Sequence, residues 1–362
     1  MDCSTPIDIV YLWVDGTDPR WRQKRRQALA SLGAKRHGDM ALYGNVEGRF
    51  RDNDELRYSL RALERFFPQH GHVYLVTDGQ TPAWLGAHAR LSVIDHRELI
   101  PACALPTFDS GHIESYIHRI HGLSERYFYC NDDVFFGAPV NLDDWFWAGG
   151  FHVGWSDDAG VSDEPLRMDA TALDNACRLS HQWLRASTPL PQHYQPTFRT
   201  FAHAPRPMLK SVLFELEQRA PELFAAVRST VFRAWDKPGI VSDFVLRWSL
   251  ANGLARVRDY AHVHVSSGDL QGPQGLEQAM AQLGELAFFC INDTTDDAHA
   301  SDPRLGQVRE ALQTMFPTPS RFEQPAPGRS RARRDLRGKA RAARPAGLAA
   351  EPTSADAPGS RS

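Results

Sequence analysis

Apolar and polar positions along this chain follow two rhythms. Ile7-Asp8-Ile9-Val10-Tyr11-Leu12-Trp13-Val14 is a short, nearly continuous run of β-branched and aromatic residues, closed by Asp15-Gly16-Thr17-Asp18-Pro19. That combination predicts a buried strand entering a turn. Similar runs at His72 to Thr77, Leu91 to Ile94, Tyr127 to Cys130 and Ala287 to Ile291 end on Asp78-Gly79, Asp95-His96, Asn131-Asp132-Asp133 and Asn292-Asp293-Thr294. Between them the period lengthens. A basic helix is predicted near Trp21 to Leu32. A second carries Leu56, Leu60, Leu63 and Phe67 after the polar start Asp52-Asn53-Asp54-Glu55 and stops at Pro68. A third has Ile113, Ile117 and Ile120 on its buried side, with Glu114, His118 and His121 on the other. Further helical runs are Pro207 to Arg219, with Pro207 as a favourable first residue, Ile240 to Asn252, and Arg304 to Met315. Strands alternating with helices predict an α/β fold with a mostly parallel sheet flanked by helices. Residues 138–200, richer in Gly, Pro and Trp and less periodic, read as an insertion.

Composition narrows the function. Lys plus Arg number 41 against 44 Asp plus Glu, which gives no general case for nucleic-acid binding. The charge is uneven, because residues 324–362 hold nine Lys/Arg and three Asp/Glu. This end is dominated by Pro, Ala, Gly, Ser and Arg, cannot bury a core, and is expected to be a disordered tail over 323–362 behind a catalytic domain over 1–322. Its Arg-rich part leaves two readings open: contact with an anionic surface, such as the inner face of a membrane or an anionic polymer, or a solubilising end without a partner. The five cysteines are odd in number and lack paired or metal-type spacing, which argues against a disulfide framework. No segment approaches the ~20 apolar residues of a membrane span, and the start lacks the basic and long apolar parts of a signal peptide. The expectation is a cytoplasmic protein.

The acids at strand ends carry the chemistry. Open α/β sheets bind ligands beyond the carboxyl ends of their strands, and a hard divalent cation takes oxygen ligands and leaves positions for phosphate and water. Asp132 and Asp133 are therefore candidate metal ligands, although adjacent acids after a strand also make turns. Asn292 and Asp293 repeat the arrangement, with an Asx turn as their alternative. Asp52, Asn53, Asp54 and Glu55 exceed what capping one helix requires. Glu114, His118 and His121 could mark a zinc site or an ordinary solvated helix face. Trp13, Asp15 and Gly16 end the first strand, and Thr77, Asp78, Gly79 and Gln80 close the second, with Gly79 suited to a tight turn.

Four blocks of the chain resemble the Stealth proteins, hexose-1-phosphoryltransferases that include bacterial capsule-polymerising enzymes and the catalytic subunit of lysosomal N-acetylglucosamine-1-phosphotransferase. The blocks are Ile7 to Trp21; Arg49-Phe50-Arg51-Asp52-Asn53-Asp54-Glu55-Leu56-Arg57-Tyr58-Ser59-Leu60 through Val76-Thr77-Asp78-Gly79-Gln80 to Asn131-Asp132-Asp133; His203-Ala204-Pro205 with Phe232-Arg233; and Phe289-Cys290-Ile291-Asn292-Asp293. The resemblance implies a GT-A-like fold of the nucleotide-diphospho-sugar transferase type; residues 138–200 are read as its insertion or an acceptor-side lobe. It implies transfer of a hexose or N-acetylhexosamine 1-phosphate from a nucleotide sugar to a glycan hydroxyl, releasing nucleoside monophosphate, in capsule or exopolysaccharide synthesis. It further implies Mg2+ or Mn2+ on Asp132, Asp133, Asn292 and Asp293; Asp54, Glu114, His203 and Arg233 as catalytic residues, with His203 the general base and Arg233 a phosphate clamp; and Trp13, Asp15, Gly16, Asp52, Thr77, Asp78, Gly79, Gln80 and His118 on the substrate. A lipid-linked acceptor is left open. The competing expectation is an ordinary glycosyltransferase that attacks the anomeric carbon and releases nucleoside diphosphate.

Overall fold

The first apolar run forms β1 (Asp8–Leu12), buried along its whole length. The computed structural model describes residues 6–33, 38–187, 190–191, 194–269, 272–293, 295–299 and 301–325. Of the tail expected over 323–362, residues 326–362 lie outside the described residues, as does Thr294, while Glu323 belongs to the compact unit. In chain order the other strands are β2 (Val73–Thr77), β3 (Leu91–Asp95), β4 (Arg126–Asn131), β5 (Val134–Phe136), β6 (Phe146–Trp147), β7 (Gly150–Val153), β8 (Arg206–Leu209), β9 (Ala255–Val257), β10 (His262–Ser266) and β11 (Phe288–Asn292).

The main sheet has the order β3-β2-β1-β4-β8, parallel except for β8. Parallel strands buried on both faces require near-continuous apolar runs, which is what β1, β2 and β4 supply. The α/β architecture with a mostly parallel sheet is therefore the one the strand–helix alternation predicts. The strand order reverses direction beside β1, so β1 and β4 splay a crevice at their carboxyl ends. A second sheet, β10-β11-β5, and a third, β6-β7-β9, pack around it. Residues 138–200 contribute β6, β7 and the helix Ala172–Ser187. Aromatic edges meet faces across the interior: Phe128 lies 6.1 Å from Phe67, 5.4 Å from Phe136 and 5.3 Å from Trp145, each near perpendicular. Such pairs contribute about 0.5–1.5 kcal/mol each beyond area burial.

The helix Glu55–Phe66 keeps the predicted face, with Leu56, Leu60 and Leu63 buried. It is tied to both sheets by one hydroxyl: Ser59 Oγ lies 2.9 Å from Tyr11 Oη and donates to the Val134 carbonyl at 2.7 Å. Three expected helices differ from their prediction. The run through Ile113, Ile117 and Ile120 stays buried, but the helix ends at Glu114 and a separate 3-10 turn covers Ile117–Arg119, so Glu114, His118 and His121 do not share one helical face. Pro207 lies inside β8 rather than opening a helix, paired with Phe128 at the edge of the sheet, where a missing N–H is tolerated; the helices there are Lys210–Arg219 and Pro221–Val227. The run from Ile240 begins as a π turn, Ile240–Phe244, before the helix Val245–Ala251.

The end of the compact unit is locked back onto Glu55–Phe66. Glu323 accepts from Arg57 Nε and Arg61 Nε at 2.6 Å each, Arg61 Nη2 at 2.8 Å and the Ser320 N–H at 2.9 Å. The arginines and this N–H hold its carboxyl down at about 2 despite burial. Removing one side of a buried pair leaves the other charge uncompensated. Glu323→Ala is therefore expected to lower the unfolding free energy by about 3–5 kcal/mol in urea titrations, with Glu323→Gln falling between it and the natural chain.

Candidate functional site

Register brings the acids together. Leu12 is opposite Asn131 in the parallel pair, so Trp13 and the Asp132-Asp133 turn leave the sheet side by side. β11 arrives by another device: it runs antiparallel to β5, with Cys290 opposite Val134, and the Ile291 N–H donates to the Asp133 carbonyl at 3.0 Å. Asn292 and Asp293 therefore emerge beside the two aspartates. Together with Trp13, Glu55, Arg49, His203 and Arg233 they line a cavity of about 250 Å³.

The opposite wall is the 3-10 turn Glu47–Phe50, held by close backbone approach. The Gly16 N–H donates to the Phe50 carbonyl at 2.7 Å, and a Cβ at Gly16 would lie 2.1 Å from that oxygen. At Gly48 a Cβ would fall 2.6 Å from the Asp293 carbonyl. Arg51 closes this wall onto Asp293 by an ion pair and donates to the Ala298 carbonyl at 2.8 Å. Behind it a small aromatic cluster, Trp21, Phe50, Phe108 and Phe232, braces four separate segments. Phe108 and Phe232 stack at 5.1 Å, and Arg233 follows directly, donating through Nη2 to Ser110 Oγ at 2.5 Å.

The electrostatics are strained in both signs. Burial, then the neighbouring Asp133 and Glu55, raise the Asp132 carboxyl well above the usual range. Burial lifts Asp133 to about 6, Asp52 to about 6 and Glu55 to about 8, the last with help from Asp52. Asp133 Oδ1 is buried with no hydrogen-bond partner among the described residues. Against these stand cations with little compensation. Burial and the nearby Arg233 lower Arg49 to about 9, and its Nε has no partner among the described residues. Burial, then Arg206, His264 and Arg233, push His203 well below the usual imidazole range, so its ring is neutral.

A polar chain runs from this cavity into a smaller one of about 100 Å³. His203 Nε2 lies 3.6 Å from Asp133 Oδ1 and 2.6 Å from Asn131 Nδ2. Asn131 Oδ1 accepts from the Tyr129 hydroxyl at 2.7 Å, which is shared with Glu114 Oε1 at 2.9 Å. Glu114 and Arg206 line the smaller chamber, and Asn131, His203, Arg233 and Leu173 line both.

Family models match three stretches: Stealth protein CR1, conserved region 1, over residues 5–33; CR2, conserved region 2, over 49–153; and CR4, conserved region 4, over 285–334. Two exopolysaccharide phosphotransferases of Streptomyces coelicolor are 36% and 34% identical over 326 and 330 residues, each covering 89% of this chain but 53% and 33% of their own length. The exopolysaccharide phosphotransferase CpsY of Mycobacterium leprae is 33% identical, over 90% of this chain and 58% of its own. The chain thus spans between about a third and three fifths of these relatives. Among solved structures, it overlaps loosely with galactosyltransferase LgtC in complex with donor and acceptor sugar analogs, at 9% identity and a TM-score of 0.41, covering 90% of this chain and 99% of that one. The chain belongs to the Stealth family.

Within this Stealth chain, the residues expected at the site divide. Trp13, Asp78, Asp132, Asp133, His203, Arg233, Asn292 and Asp293 line the larger cavity, and Glu114 the smaller. Asp78 sits there already paired with Lys24 Nζ at 2.6 Å, and Asp293 is shared with Arg51. The others are not on the walls. Asp15 closes an Asx turn on Thr17, with its backbone bracketed by Gln80. Gly16 admits the Phe50 carbonyl, Thr77 is buried in β2, and Gly79 takes the left-handed φ of 73° that its turn demands. Asp52 accepts the Asp54 N–H at 2.9 Å. Asp54, in the left-handed region at φ 68°, precedes the helix without capping it and does not reach the cavity, whereas Glu55 does. His118 faces away, 2.8 Å from Glu217 in a cluster with Arg119 and Arg228.

Glu55, Arg49, Asn131, Tyr129 and Arg206 are contributors that motif reading alone did not single out. Glu55 had a signal: it lies one helical turn before the buried Ser59, on the face that packs toward β1.

Glu55 gives a pH test. Its carboxyl, raised from 4.5 to about 8, retains its proton in the folded chain where the unfolded chain has lost it, so stability falls as pH rises through that window. The melting temperature of metal-free protein is expected to drop between pH 4.5 and about pH 8. Glu55→Gln should flatten that slope in a pH series of thermal melts.

Proposed function

We propose that this site moves a sugar 1-phosphate from a nucleotide-diphosphate sugar to a hydroxyl of an acceptor glycan and releases nucleoside monophosphate. The observation that carries the reading is one cavity lined by two carboxyls whose ionisation their surroundings oppose, Asp132 and Asp133, and by two guanidiniums, Arg49 and Arg233. A cation-bound pyrophosphate answers both needs at once, since it brings positive charge to the acids and phosphoryl oxygens to the arginines. The names of the relatives, exopolysaccharide phosphotransferases, agree with it.

The donor set fits a hard cation such as Mg2+ or Mn2+. Asp132, Asp133, Asn292 and Asp293 offer only oxygen donors on these side chains' acceptor atoms, and the unpartnered buried Asp133 Oδ1 is a ligand oxygen in need of a positive partner. When bound, such an ion would neutralise diphosphate charge and aid the leaving nucleotide. The chain's own groups do the rest. Arg233, oriented by Ser110, and Arg49 would hold the equatorial oxygens of the transferring phosphoryl group. Neutral His203 would take the proton of the acceptor hydroxyl as its oxygen bonds to phosphorus and the pyrophosphate P–O bond breaks. Trp13 and Asp78 would flank the nucleotide at the strand ends, and the smaller chamber, walled in part by Leu173 of the 138–200 segment, would receive the acceptor. Asp54 would act only through Asp52 and Glu55, not by contact.

The purified chain, supplied with Mg2+, a panel of nucleotide-diphosphate sugars and free or lipid-linked glycan acceptors, tests the reading. Nucleoside monophosphate and a phosphodiester signal in phosphorus NMR of the product are expected. Nucleoside diphosphate with no phosphorus in the product would indicate glycosyl transfer and overturn it. His203→Ala should reduce kcat by about 10²–10⁴, and Arg233→Ala by about 10²–10³, with thermal melts close to those of the natural chain.

A further inference from the structure

β10 and β11 run parallel with His264 opposite Cys290, so an imidazole and a thiol stand side by side on neighbouring strands. His203 meets them from the loop before β8. A ring nitrogen of His203, one of His264 and Cys290 Sγ all lie within 4.8 Å of one another. Asp133 completes the group from the turn after β4: its Oδ1 is 3.6 Å from His203 Nε2, and its Oδ2 accepts the Cys290 S–H at 3.6 Å. Four donors of mixed type therefore converge from four separate parts of the chain.

This donor set differs in kind from the oxygen ligands beside it. Thiolate and imidazole select zinc and its neighbours, whereas carboxylate and amide oxygens suit magnesium and manganese. Tetrahedral zinc binds nitrogen and sulfur at about 2.0–2.3 Å, which spaces its ligands about 3.3–3.8 Å apart. The two contacts to Asp133 are at that spacing already, and the remaining donors need to close by about an ångström. Cys290 is buried while His264 is exposed, so an ion from solvent would meet His264 first and the thiol last.

We infer that Cys290, His264, His203 and Asp133 form a binding site for a soft divalent cation of the zinc type, and that its occupation switches the neighbouring transfer site off. Binding releases the Cys290 thiol proton to solvent and engages the lone pair of His203 and the carboxylate of Asp133. Those are the groups that the hard cation and the acceptor hydroxyl require, so the two states exclude each other. The inhibitory half of this inference rests on the phosphotransfer reading above; the binding half does not.

Cobalt is the probe that separates them. With excess Mg2+ present, one equivalent of Co2+ added to the reduced, full-length chain is expected to give a thiolate-to-cobalt charge-transfer band in the near ultraviolet and the intense visible bands of four-coordinate cobalt, both bleached by Zn2+. Cys290→Ser should lose the charge-transfer band, and His264→Gln should weaken Co2+ binding by about tenfold or more. In the transfer assay, Zn2+ should inhibit the natural chain. His264→Gln, which keeps a polar side chain beside His203, should retain measurable transfer without Zn2+ and need about tenfold more Zn2+ for half inhibition relative to its own uninhibited rate. No charge-transfer band in the natural chain, a band that persists in Cys290→Ser, or equal cobalt affinity in His264→Gln would overturn the site. Should Cys290→Ser fail to fold, the natural chain and His264→Gln decide. A cobalt spectrum in a chain that transfers no sugar phosphate would uphold the site and remove the phosphotransfer reading. Transfer without the spectrum would do the reverse.

Discussion

The interaction on which the rest of the structure turns is the burial of several carboxylates at one place. Asp132, Asp133, Glu55 and Asp52 are raised first by desolvation and then by one another. For Asp133, a carboxyl lifted first by desolvation means that its ionised form at neutral pH works against the fold. A domain whose net stability is about 5–15 kcal/mol carries such a cost only if the surroundings hold the acids in place. Here they do: Ser59 ties the helix that bears Glu55 to β1 and β5, Glu323 locks that helix at its outer side, and the Ile291 N–H fixes the Asp133 backbone.

The same cavity also disfavours the charge of its own basic side chains. Arg49 is depressed by burial and by Arg233, and His203 is neutral because burial and Arg206 oppose its charge. Acids that favour a cation and arginines that favour an anion coexist without neutralising each other, since each group is anchored to a different wall. Arg233 is held by Ser110 and by the Phe108–Phe232 stack, and Arg49 by a turn clamped between Gly16 and Asp293. A ligand carrying both signs, such as a metal-bound diphosphate, relieves both strains, whereas a simple cation or anion relieves one.

Legibility in the sequence followed the range of the forces involved. Strands β1, β2, β4 and β11 were readable because each is a short apolar run closed by an acid, and Asp132, Asp133, Asn292, Asp293, Trp13, His203 and Arg233 do reach one cavity. What the pattern could not show was orientation. Asp54 and Glu55 are adjacent, yet Asp54 takes a left-handed backbone away from the cavity while Glu55, held by Asn53, lines it. His118 has helical spacing from Glu114, but the helix ends at Glu114 and Glu217, 99 positions from His118, claims its ring. Pro207 suits a helix start locally, yet pairing with Phe128 makes it part of an edge strand. Tyr129 read as a strand residue and Asn131 as part of the turn after it, and their polar ends meet His203 only because it arrives from a distant loop.

That last contact explains how a residue outside the larger cavity bears on it. Glu114 does not line the chamber that holds Asp132 and Asp133, but its Oε1 shares the Tyr129 hydroxyl with Asn131, and Asn131 Nδ2 donates to His203 Nε2. Every link is buried or half-buried, where a hydrogen bond is electrostatically stronger and a broken one more costly. The ring plane of His203, and which of its nitrogens keeps a lone pair, are therefore set from Glu114 through two intermediates. An acid in the smaller chamber thus orients the imidazole that both chambers share, and the side chain at one end of the chain of contacts is linked to Asp133 at the other.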